Sequence, residues 1–284
     1  MSTNTDGKST WLITGCSQGL GRAIAEEALA RGHNVALTAR RAESVADLAT
    51  RYPAQTIVLT LDVTKGADIA HCVAATRERF GSIDILVNNA GRGLVGAVEE
   101  ARPEEYRAIF DANVFALVEM TRAVLPTMRE QGRGHIFNIS SLAGFLGHPG
   151  VAYYCSTKFA VEGLSEGLAV ELAPFGIGVT IVEPGSFSTG FRQSLHVMAT
   201  ELEAYAGTIA SAARKRVVEQ PPRSGDPARA AEVLVDLAER GEAPLRLPLG
   251  DDCVGAIEKK IAMLGESQAL GKEVSRTADF YHDA

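Results

Sequence analysis

The segment ITGCSQGLGRA (13–23) decides the fold, because it joins a buried strand to a helix through a glycine-rich turn. WLIT (11–14) is apolar throughout, and GLGRAIAEEALARG (19–32) has helical periodicity. Glycine permits a positive φ and lets backbone N–H groups approach a phosphate at the helix N-terminus. Many strand-to-helix turns need glycine only for packing, but a turn on the first strand of a series favours a nucleotide. The turn residues that would contact it are Gly15, Ser17, Gln18, Gly19, Leu20 and Gly21.

Short apolar runs continue to alternate with helical patterns along most of the chain. After WLIT the predicted strands are NVALTA (34–39), QTIVLTL (55–61), IDILVNN (83–89), GHIFNIS (134–140) and IGVTIVEP (177–184). The predicted helices cover about 43–52, 66–79, 103–129 and 151–174. Strands that alternate with helices form right-handed βαβ units, covered on both faces. The pattern predicts an α/β Rossmann fold with a doubly wound, mostly parallel sheet, which binds ligands at the carboxyl ends of its strands.

The alternation stops after Gly185, and residues 186–224 form a predicted insertion. Apolar residues recur in it at intervals of three and four, which predicts an amphipathic helix. They are Phe191, Leu195, Met198, Leu202, Tyr205 and Ile209. Such a stripe is more often core than binding surface, but its place over the open end of the sheet favours a lid.

APLRLPL (243–249) is the last predicted strand, so a single Rossmann-type catalytic domain is expected over residues 10–255, with the lid insertion inside it. We expect residues 1–9 to be a disordered polar tail and residues 256–284 to be a helical tail.

The composition of the 284 residues is typical of a globular enzyme, with 46% hydrophobic and 22% charged residues. A net charge of −7 argues against a nucleic-acid or anionic-membrane surface. There is no signal-peptide core and no run near the roughly 18 apolar residues that span a bilayer. The four cysteines form no CxxC pair and the six histidines show no HxH or HExxH spacing, so neither disulfides nor a metal site is expected. These features predict a cytoplasmic protein with reduced thiols.

The residues after the second strand favour NADP over NAD. NAD sites usually place Asp or Glu here, about 20 residues after the glycines, to bind the ribose 2′-OH. In this chain Ala39 stands at that position, followed by Arg40 and Arg41. A guanidinium can bind a 2′-phosphate with two hydrogen bonds, whereas a solvated basic loop would not explain the missing acid.

Two further strand ends carry residues that suit the adenosine part of such a cofactor. Asp62 and Val63 would cap the adenine, and the run Asn88-Asn89-Ala90-Gly91 would lie along its ribose. All of these residue types are also common in turns, so a purely structural role remains open.

The segment YYCSTK (153–158) contains two adjacent tyrosines, and either of them could have a chemical role. On a helix Tyr154 and Lys158 share a face, while Tyr153 points away. A cation beside a phenol lowers its pKa from about 10, so Tyr154 is the candidate acid or base. Taken alone, this spacing is more often a packed ring beside a solvated lysine.

Several motifs in one order resemble those of the short-chain dehydrogenase/reductase family. They are TGCSQGLG (14–21), NNAG (88–91), Asn113, Ser141, YCSTK (154–158) and PG (184–185). The match covers about 10–250, and Arg40 is similar to the arginine of NADP-preferring members related to hydroxysteroid and retinol dehydrogenases. The resemblance implies hydride transfer between NADP(H) and a carbonyl or secondary alcohol.

The same resemblance implies four catalytic residues. Tyr154 would be the acid in reduction and the base in oxidation, with its pKa lowered by Lys158 and the nicotinamide charge. Lys158 would also bind the nicotinamide ribose. Ser141, rather than Ser140, would donate a hydrogen bond to the carbonyl oxygen, and Asn113 would hold a water of a proton relay.

The resemblance also extends to the remaining contacts. Pro184, Gly185, Phe187 and Thr189 would cover the nicotinamide. A mostly apolar pocket suits a hydrophobic small-molecule substrate. Its predicted residues are Ser141, Phe145, Leu146, His148, Tyr154, Phe191, Leu195 and Met198, with Leu94 and Val95 nearby. Members of the family usually pair through the two long helices, which implies a homodimer or homotetramer.

Three other functions remain open from the sequence. A non-catalytic NADP-binding sensor or scaffold would not need Ser141, Tyr154 and Lys158 together. A methyltransferase that uses S-adenosylmethionine would not need Arg40, because that cofactor has no phosphate. Nucleotide-sugar epimerases usually have longer chains and a different glycine spacing.

Overall fold

A seven-stranded parallel sheet forms the centre of the protein, in a computed structural model that describes residues 7–219 and 225–278. The strands are β1 (Thr10–Ile13), β2 (Asn34–Ala39), β3 (Thr56–Thr60), β4 (Ile85–Asn88), β5 (Gly93–Val95), β6 (Gly134–Ile139), β7 (Ile177–Pro184), β8 (Leu195–Val197) and β9 (Arg246–Leu249). All but β5 and β8 belong to this sheet, in the order β3-β2-β1-β4-β6-β7-β9. The order reverses between β1 and β4, as in a doubly wound sheet. The predicted Rossmann fold is confirmed.

The helices follow the predicted alternation closely. They are α1 (Gly19–Ala30), α2 (Ala46–Arg51), α3 (Gly66–Phe80), α4 (Pro103–Phe110), α5 (Ala116–Gln131), α6 (Ala152–Leu172), α7 (Ile209–Glu219), α8 (Pro227–Arg240) and α9 (Asp251–Arg276). A π-helical turn, Asp111–Phe115, joins α4 to α5 without a break. Asp226 caps α8 by accepting a hydrogen bond from Ala228 N (2.9 Å), and Gly241 ends it with a φ of 69°.

Strand β1 shows how the sheet separates two cores. Successive side chains of a strand point to opposite faces. Trp11 and Ile13 are buried with Ile24 of α1 and Leu234 of α8 on one face. Leu12 is buried on the other face, where α3, α5 and α6 pack. Helices on both faces therefore leave the carboxyl ends of the strands as the open side of the sheet.

The single amphipathic helix predicted within the insertion is wrong. Instead, a short 3-10 turn (Gly190–Ser194) leads into β8, and a second one (Glu203–Tyr205) precedes α7. Strand β8 pairs in parallel with β5 to form a separate two-stranded sheet. The last residues of the insertion, 220–224, lie outside the described residues.

Gly93 in β5 and Gly96 just after it leave room for the side chains of this part of the insertion. A side chain on Gly93 would overlap Leu195, and a side chain on Gly96 would overlap Met198. Met198 is only 1% exposed and packs with Leu94. The free edge of β5 and the burial of Met198 thus outweigh a weak helical pattern, since local propensity yields to tertiary packing.

The predicted C-terminal helix begins at Asp251, a few residues earlier than expected. Cys253 is buried, but from Ile261 onward nearly every described residue of α9 is exposed. No helix in the described ranges is long and apolar enough to cross a membrane. All four cysteines are buried free thiols.

Candidate active site

A large cleft with a volume of about 1370 Å³ lies at the carboxyl ends of the central strands. It brings together predicted cofactor residues from distant parts of the chain. Those that line it are Gly15, Ser17, Gln18, Gly19, Leu20, Arg40, Asp62, Val63, Asn89, Ala90, Gly91, Tyr154, Lys158, Pro184, Gly185, Phe187 and Thr189. From the predicted substrate contacts, Ser141, His148, Phe191 and Leu195 line the same cleft.

The turn between β1 and α1 is fixed from below by Asn89. Its Nδ2 donates hydrogen bonds to Thr14 O (2.8 Å) and Gly15 O (3.1 Å). Gly15 has a φ of 77°, which favours glycine. Gly21 does not line the cleft, but a Cβ there would lie 2.6 Å from Gly15 O and still closer to Asn89. Gly21 therefore serves the packing of the turn.

Arg40 extends from the end of β2 at the rim of the cleft. Its side chain is exposed and makes no hydrogen bond or ion pair with the residues that the structure describes, while Ala39 before it is buried. Asp62 lies across the rim, and its pKa is lowered chiefly by hydrogen bonds from Thr64, with a smaller contribution from Arg40. The guanidinium is thus available to an anionic ligand. Arg41 does not line the cleft.

Tyr154 has a raised pKa in this structure, contrary to expectation. Burial raises the pKa of Tyr154 to about 12, and a hydrogen bond with Ser141 opposes this. Lys158 Nζ donates to Ile139 O (2.7 Å) and lies 5.8 Å from the centre of the Tyr154 ring. The ammonium therefore lies beside the ring rather than bound to the phenol oxygen. Burial lowers the pKa of Lys158 to about 8, and the charge of Glu162 opposes that shift.

Tyr153 has different surroundings, as the helix spacing predicted. Its hydroxyl donates to Val98 O (3.3 Å), and its ring stacks on Tyr106 with 5.2 Å between ring centres. It does not line the cleft. Tyr154, in contrast, packs against Phe191, with 5.6 Å between their ring centres. Of the two rings, only Tyr154 faces the cleft, beside Ser141.

Asn113 lies in the π-helical turn and is buried behind the cleft lining. Its Oδ1 accepts from Arg92 N (2.9 Å). Its Nδ2 donates to Arg92 O (2.9 Å) and Thr157 Oγ1 (3.0 Å). The amide thus ties the segment after NNAG to α6, and its contacts are with protein groups. A π-helical turn changes the backbone hydrogen-bonding pattern, so a water held here would depend on main-chain groups.

Three predicted substrate contacts lie elsewhere. Phe145 and Leu146 do not line the cleft, and the Phe145 ring packs under the Arg246 guanidinium at 5.7 Å. Met198 is buried in the small core beside β5, together with Leu94. Their positions differ because the loop after Ser141 turns away from the cleft and the insertion forms a strand.

Several residues of the cleft had no signal in the sequence. They include Arg92, Asp111, Val151, Ala213, Arg216 and Asp252. Arg216 comes from α7, which folds back over the cleft, and Asp252 comes from the start of α9. Asp252 Oδ2 accepts from Ser186 N (2.9 Å), so it holds the loop after Gly185. Only the tertiary structure brings these late segments to the site.

Sequence relatives agree with this architecture. Oxidoreductase BOA17 from Botryotinia fuckeliana (strain B05.10) is 37% identical over 266 residues, which are 93% of this chain and 97% of that protein. A 3-ketodihydrosphingosine reductase from Bacteroides thetaiotaomicron is 36% identical over 243 residues, 84% of this chain and 87% of that protein.

Solved structures agree as well. A short-chain dehydrogenase from Streptomyces avermitilis has a TM-score of 0.89 and 44% identity, and covers 96% of this chain and 100% of its own. A 3-ketoacyl-(acyl-carrier-protein) reductase from Brucella melitensis complexed with NADH has a TM-score of 0.72 and 27% identity. The match covers 84% of this chain and 96% of that one. A metagenomic short-chain oxidoreductase in complex with NADP has a TM-score of 0.67 and 27% identity. The match covers 86% of this chain and 98% of that one.

The family model described as short chain dehydrogenase matches residues 9–199, which include the glycine turn, the NNAG segment and the Ser141, Tyr154 and Lys158 side chains. With this match, the sheet order and relatives that span most of the chain, the protein belongs to the short chain dehydrogenase family of oxidoreductases.

Proposed function

We propose that this protein is an NADP(H)-dependent carbonyl reductase or alcohol dehydrogenase for a hydrophobic substrate. The observation that carries the proposal is the grouping of Ser141, Tyr154 and Lys158 at a cleft that begins at the glycine turn. A sensor or scaffold would not need a proton donor and a buried ammonium at the end of such a cleft.

The cleft fits a nicotinamide dinucleotide. It has room for a ligand of that size, and the N-terminus of α1 points into it. Gln18, at the N-cap of α1, gives no side-chain cap to the helix and donates instead to Gly190 O (3.2 Å). A helix N-terminus without a side-chain cap is a ready site for a phosphate.

NADP is the proposed form of the cofactor because of Arg40. The guanidinium is exposed at the rim, with the apolar Ala39 in the place of a ribose-binding acid. One similar structure holds NADH and another holds NADP, so the preference rests on this chain's own residues.

The proposed mechanism assigns one task to each side chain. The cofactor would donate or accept the hydride. Tyr154 gives a proton to the substrate oxygen in reduction and takes it in oxidation, and its high pKa keeps it protonated as a donor. Ser141 donates a hydrogen bond to the same oxygen as negative charge develops. Lys158 supplies positive charge beside the Tyr154 ring and an ammonium for the ribose.

A hydrophobic ketone or secondary alcohol is the proposed substrate class. Phe191 packs against Tyr154, and Leu195 and Val151 line the same end of the cleft. The relative from Bacteroides thetaiotaomicron, which is named a 3-ketodihydrosphingosine reductase, supports a ketone as substrate.

A screen of ketones and secondary alcohols tests the proposal, with NADPH absorbance as the readout. We expect turnover of apolar substrates with NADPH. Tight NADPH binding without turnover of any substrate would favour the sensor or scaffold.

We further propose that the protein forms a homodimer through α5 and α6. Phe159 and Val170 of α6 are 46% and 77% exposed, and Phe115, which directly precedes α5, is 58% exposed, which suits a covered face in an assembly. Analytical ultracentrifugation tests this, and a monomer at micromolar concentration would contradict it.

A further inference from the structure

A group of charged side chains lies beneath the proposed catalytic residues and takes no part in the mechanism above. Arg246 of β9 contacts Glu162 Oε2 (2.6 Å) and Glu183 Oε1 (2.5 Å) through Nη1, and Glu166 Oε1 (2.7 Å) through Nη2. Glu162 and Glu183 are 4% and 1% exposed. Two carboxyl groups are therefore buried around one guanidinium, although burying charge without full compensation is costly. The Arg246 guanidinium offsets part of this cost for Glu162 and Glu183.

Glu162 is also one helical turn beyond Lys158 on α6. Residues four apart on a helix face the same way, and both side chains are buried. In the described part of the chain the Lys158 ammonium forms no salt bridge, and its hydrogen bond is to the neutral Ile139 O. The Arg246 contact fixes the Glu162 carboxylate on that side of α6. Glu162 is thus the negative charge that acts on Lys158.

The second oxygen of Glu162 faces the active-site loop. Glu162 Oε1 and Ser140 Oγ are buried, and neither makes a hydrogen bond of ordinary geometry. Both atoms lie within 2.7 Å of the point that a Cβ on Gly144 would occupy, so they are close neighbours. Contact with the Ser140 hydroxyl favours the ionised carboxyl. Arg246 contacts the other oxygen, Oε2, while Oε1 keeps part of the carboxylate's negative charge directed at this pocket.

We propose that Glu162 is a positioning residue for the reaction, whose buried carboxylate is the counter-charge that holds the Lys158 ammonium protonated beside Tyr154. The proposal deepens the proposed function, on which it depends for the role of Lys158. Arg246 and Glu183 hold Glu162 in place and set its protonation. The helix places Glu162 one turn from Lys158, and the tertiary structure adds Arg246 and Glu183 around it.

The charges around Glu162 define when the counter-charge is present. Burial and the nearby Glu183 raise the pKa of Glu162 to about 7, against Arg246. From α9, the Cys253 thiol donates to Glu183 O (3.0 Å), and its pKa, raised by burial to about 12, keeps it neutral. Because the pKa of Lys158 is about 8, Glu162 and Lys158 are both ionised mainly between about pH 7 and 8.

The test measures the titration of Lys158 directly in the protein without added ligand. Lysine labelled with ¹³C at the ε carbon is followed by NMR, and the Lys158 signal is assigned by its loss in Lys158→Arg. In Glu162→Gln the proton affinity of Lys158 should fall at least about tenfold. Glu166→Gln, which removes the exposed partner of Arg246, is the matched control and should leave the titration unchanged.

Glu183→Gln has the opposite expected sign and covers the case in which Glu162→Gln does not fold. Loss of the Glu183 charge leaves Glu162 more fully ionised, so Lys158 should titrate at an equal or higher pH. A Lys158 titration that is the same in wild type and Glu162→Gln overturns the proposal. So does a fall in Lys158 proton affinity in Glu183→Gln.

Activity gives the second readout. In Glu162→Gln the alkaline fall of kcat/KM for reduction should move to lower pH together with the Lys158 titration, while Glu166→Gln overlays wild type. A shifted titration with an unshifted profile would overturn the positioning role. Absence of turnover in wild type would instead refute the proposed function, and the NMR titration would still decide whether Glu162 is the counter-charge.

Discussion

At the scale of single residues, Tyr153 and Tyr154 make the sharpest comparison in the molecule. The rings are adjacent in sequence, yet Tyr153 stacks on Tyr106 outside the cleft, whereas Tyr154 is half-buried and lines the cleft beside Ser141. Proximity to Ser141 and Lys158, rather than residue type, therefore makes one tyrosine the proposed proton donor.

Replacing the Tyr154 hydroxyl should nearly abolish turnover. Tyr154→Phe keeps the ring that packs on Phe191 but removes the proton donor, which is typically worth 10²- to 10⁴-fold in rate. NADPH affinity should stay within about severalfold, because the ring remains. Tyr153→Phe is the matched control and should keep most activity. Equal losses in the two variants, measured as kcat at saturating substrate, would show that the helix face is assigned wrongly.

Cofactor preference depends on another short set of residues. Arg40 offers a cation to a 2′-phosphate, and Ala39 offers a 2′-OH no acceptor. A charge-assisted bidentate contact is worth roughly 1.5–3 kcal/mol, or about one to two orders of magnitude in kcat/KM for NADPH over NADH. The double variant Ala39→Asp with Arg40→Leu should reverse the order in steady-state kinetics. Equal use of both cofactors by wild type would mean that Arg40 points into solvent.

At the scale of elements, the insertion is held beside the cleft by the pairing of β8 with β5, by the burial of Met198 and by the side chain of Arg214. Arg214 of α7 donates to Met198 O and Thr200 O, and it pairs with the buried Glu100 (3.4 Å). Helix α7 itself carries cleft residues such as Arg216. A segment that covers a cleft must open for ligand exchange, and the Arg214 contacts are among those that hold α7 in place.

Loss of the Arg214 guanidinium should loosen the insertion. In Arg214→Ala, amide hydrogen exchange across 209–219 should become about tenfold or more faster, because charge-assisted hydrogen bonds of about 1.5 kcal/mol or more are lost. Lys215→Ala, an exposed neighbour, is the control. In wild type, exchange across 190–215 should slow when NADPH and a substrate analogue bind. Full protection of this segment in the free protein would show that it is core rather than lid.

The junction of α6, β7 and β9 makes stability depend on pH through Glu162. Its pKa is about 7 in the folded protein against an ordinary value of 4.5, so the folded state binds more protons between these values. The contribution of this group to the free energy of unfolding is therefore present at low pH and lost as pH rises from about 4.5 to about 7.

Chemical denaturation of Glu162→Gln across this range measures the effect. The stability of wild type relative to the variant should fall as pH rises through the window. Burial lowers the pKa of His135 to about 4, so this residue makes stability rise with pH. The effect is the same in both proteins and cancels in the difference between their unfolding free energies. Glu166→Gln should run parallel to wild type. A constant difference between wild type and Glu162→Gln would show that Glu162 titrates normally.

At the scale of the whole molecule, helix α8, late in the chain, packs in the same core as the first strand. Leu234 of α8 is fully buried in the cluster that contains Trp11 of β1, and α8 packs on α1. The protein should therefore unfold as one cooperative unit.

Leu234→Ala tests this unity. The substitution should cost roughly 2–5 kcal/mol of unfolding free energy, as in other buried leucines. Fluorescence of Trp11, the single tryptophan, should show the same denaturation midpoint as far-UV circular dichroism. Leu270→Ala, at an 88% exposed position of α9, should change stability by less than about 0.5 kcal/mol. Two separate transitions would contradict a single domain.

The parallel sheet and many residues that line the cleft could be predicted from local patterns and family motifs. Apolar runs and helical periodicity are local patterns, and the strands from WLIT to IGVTIVEP appear within a few residues of their predicted bounds. The carboxyl ends of parallel strands meet at one edge of the sheet. The proximity of residues such as Gly15 and Asn89 could therefore be predicted from the sequence. The match of motifs to a family added the Ser141, Tyr154 and Lys158 set.

The strand in the insertion, the shifted pKa values and the contacts of Arg246 with Glu162 and Glu183 depend on the folded protein as a whole. Residues 195–197 form a strand because they pair with the free edge of β5, where Gly93 and Gly96 leave room for their side chains. No local sequence pattern predicts this pairing. Burial, a property of the whole fold, raised the pKa of Tyr154 although a lysine lies beside its ring. Glu162 meets Arg246 across 84 residues, and long-range contacts of single side chains leave no periodic trace in a sequence.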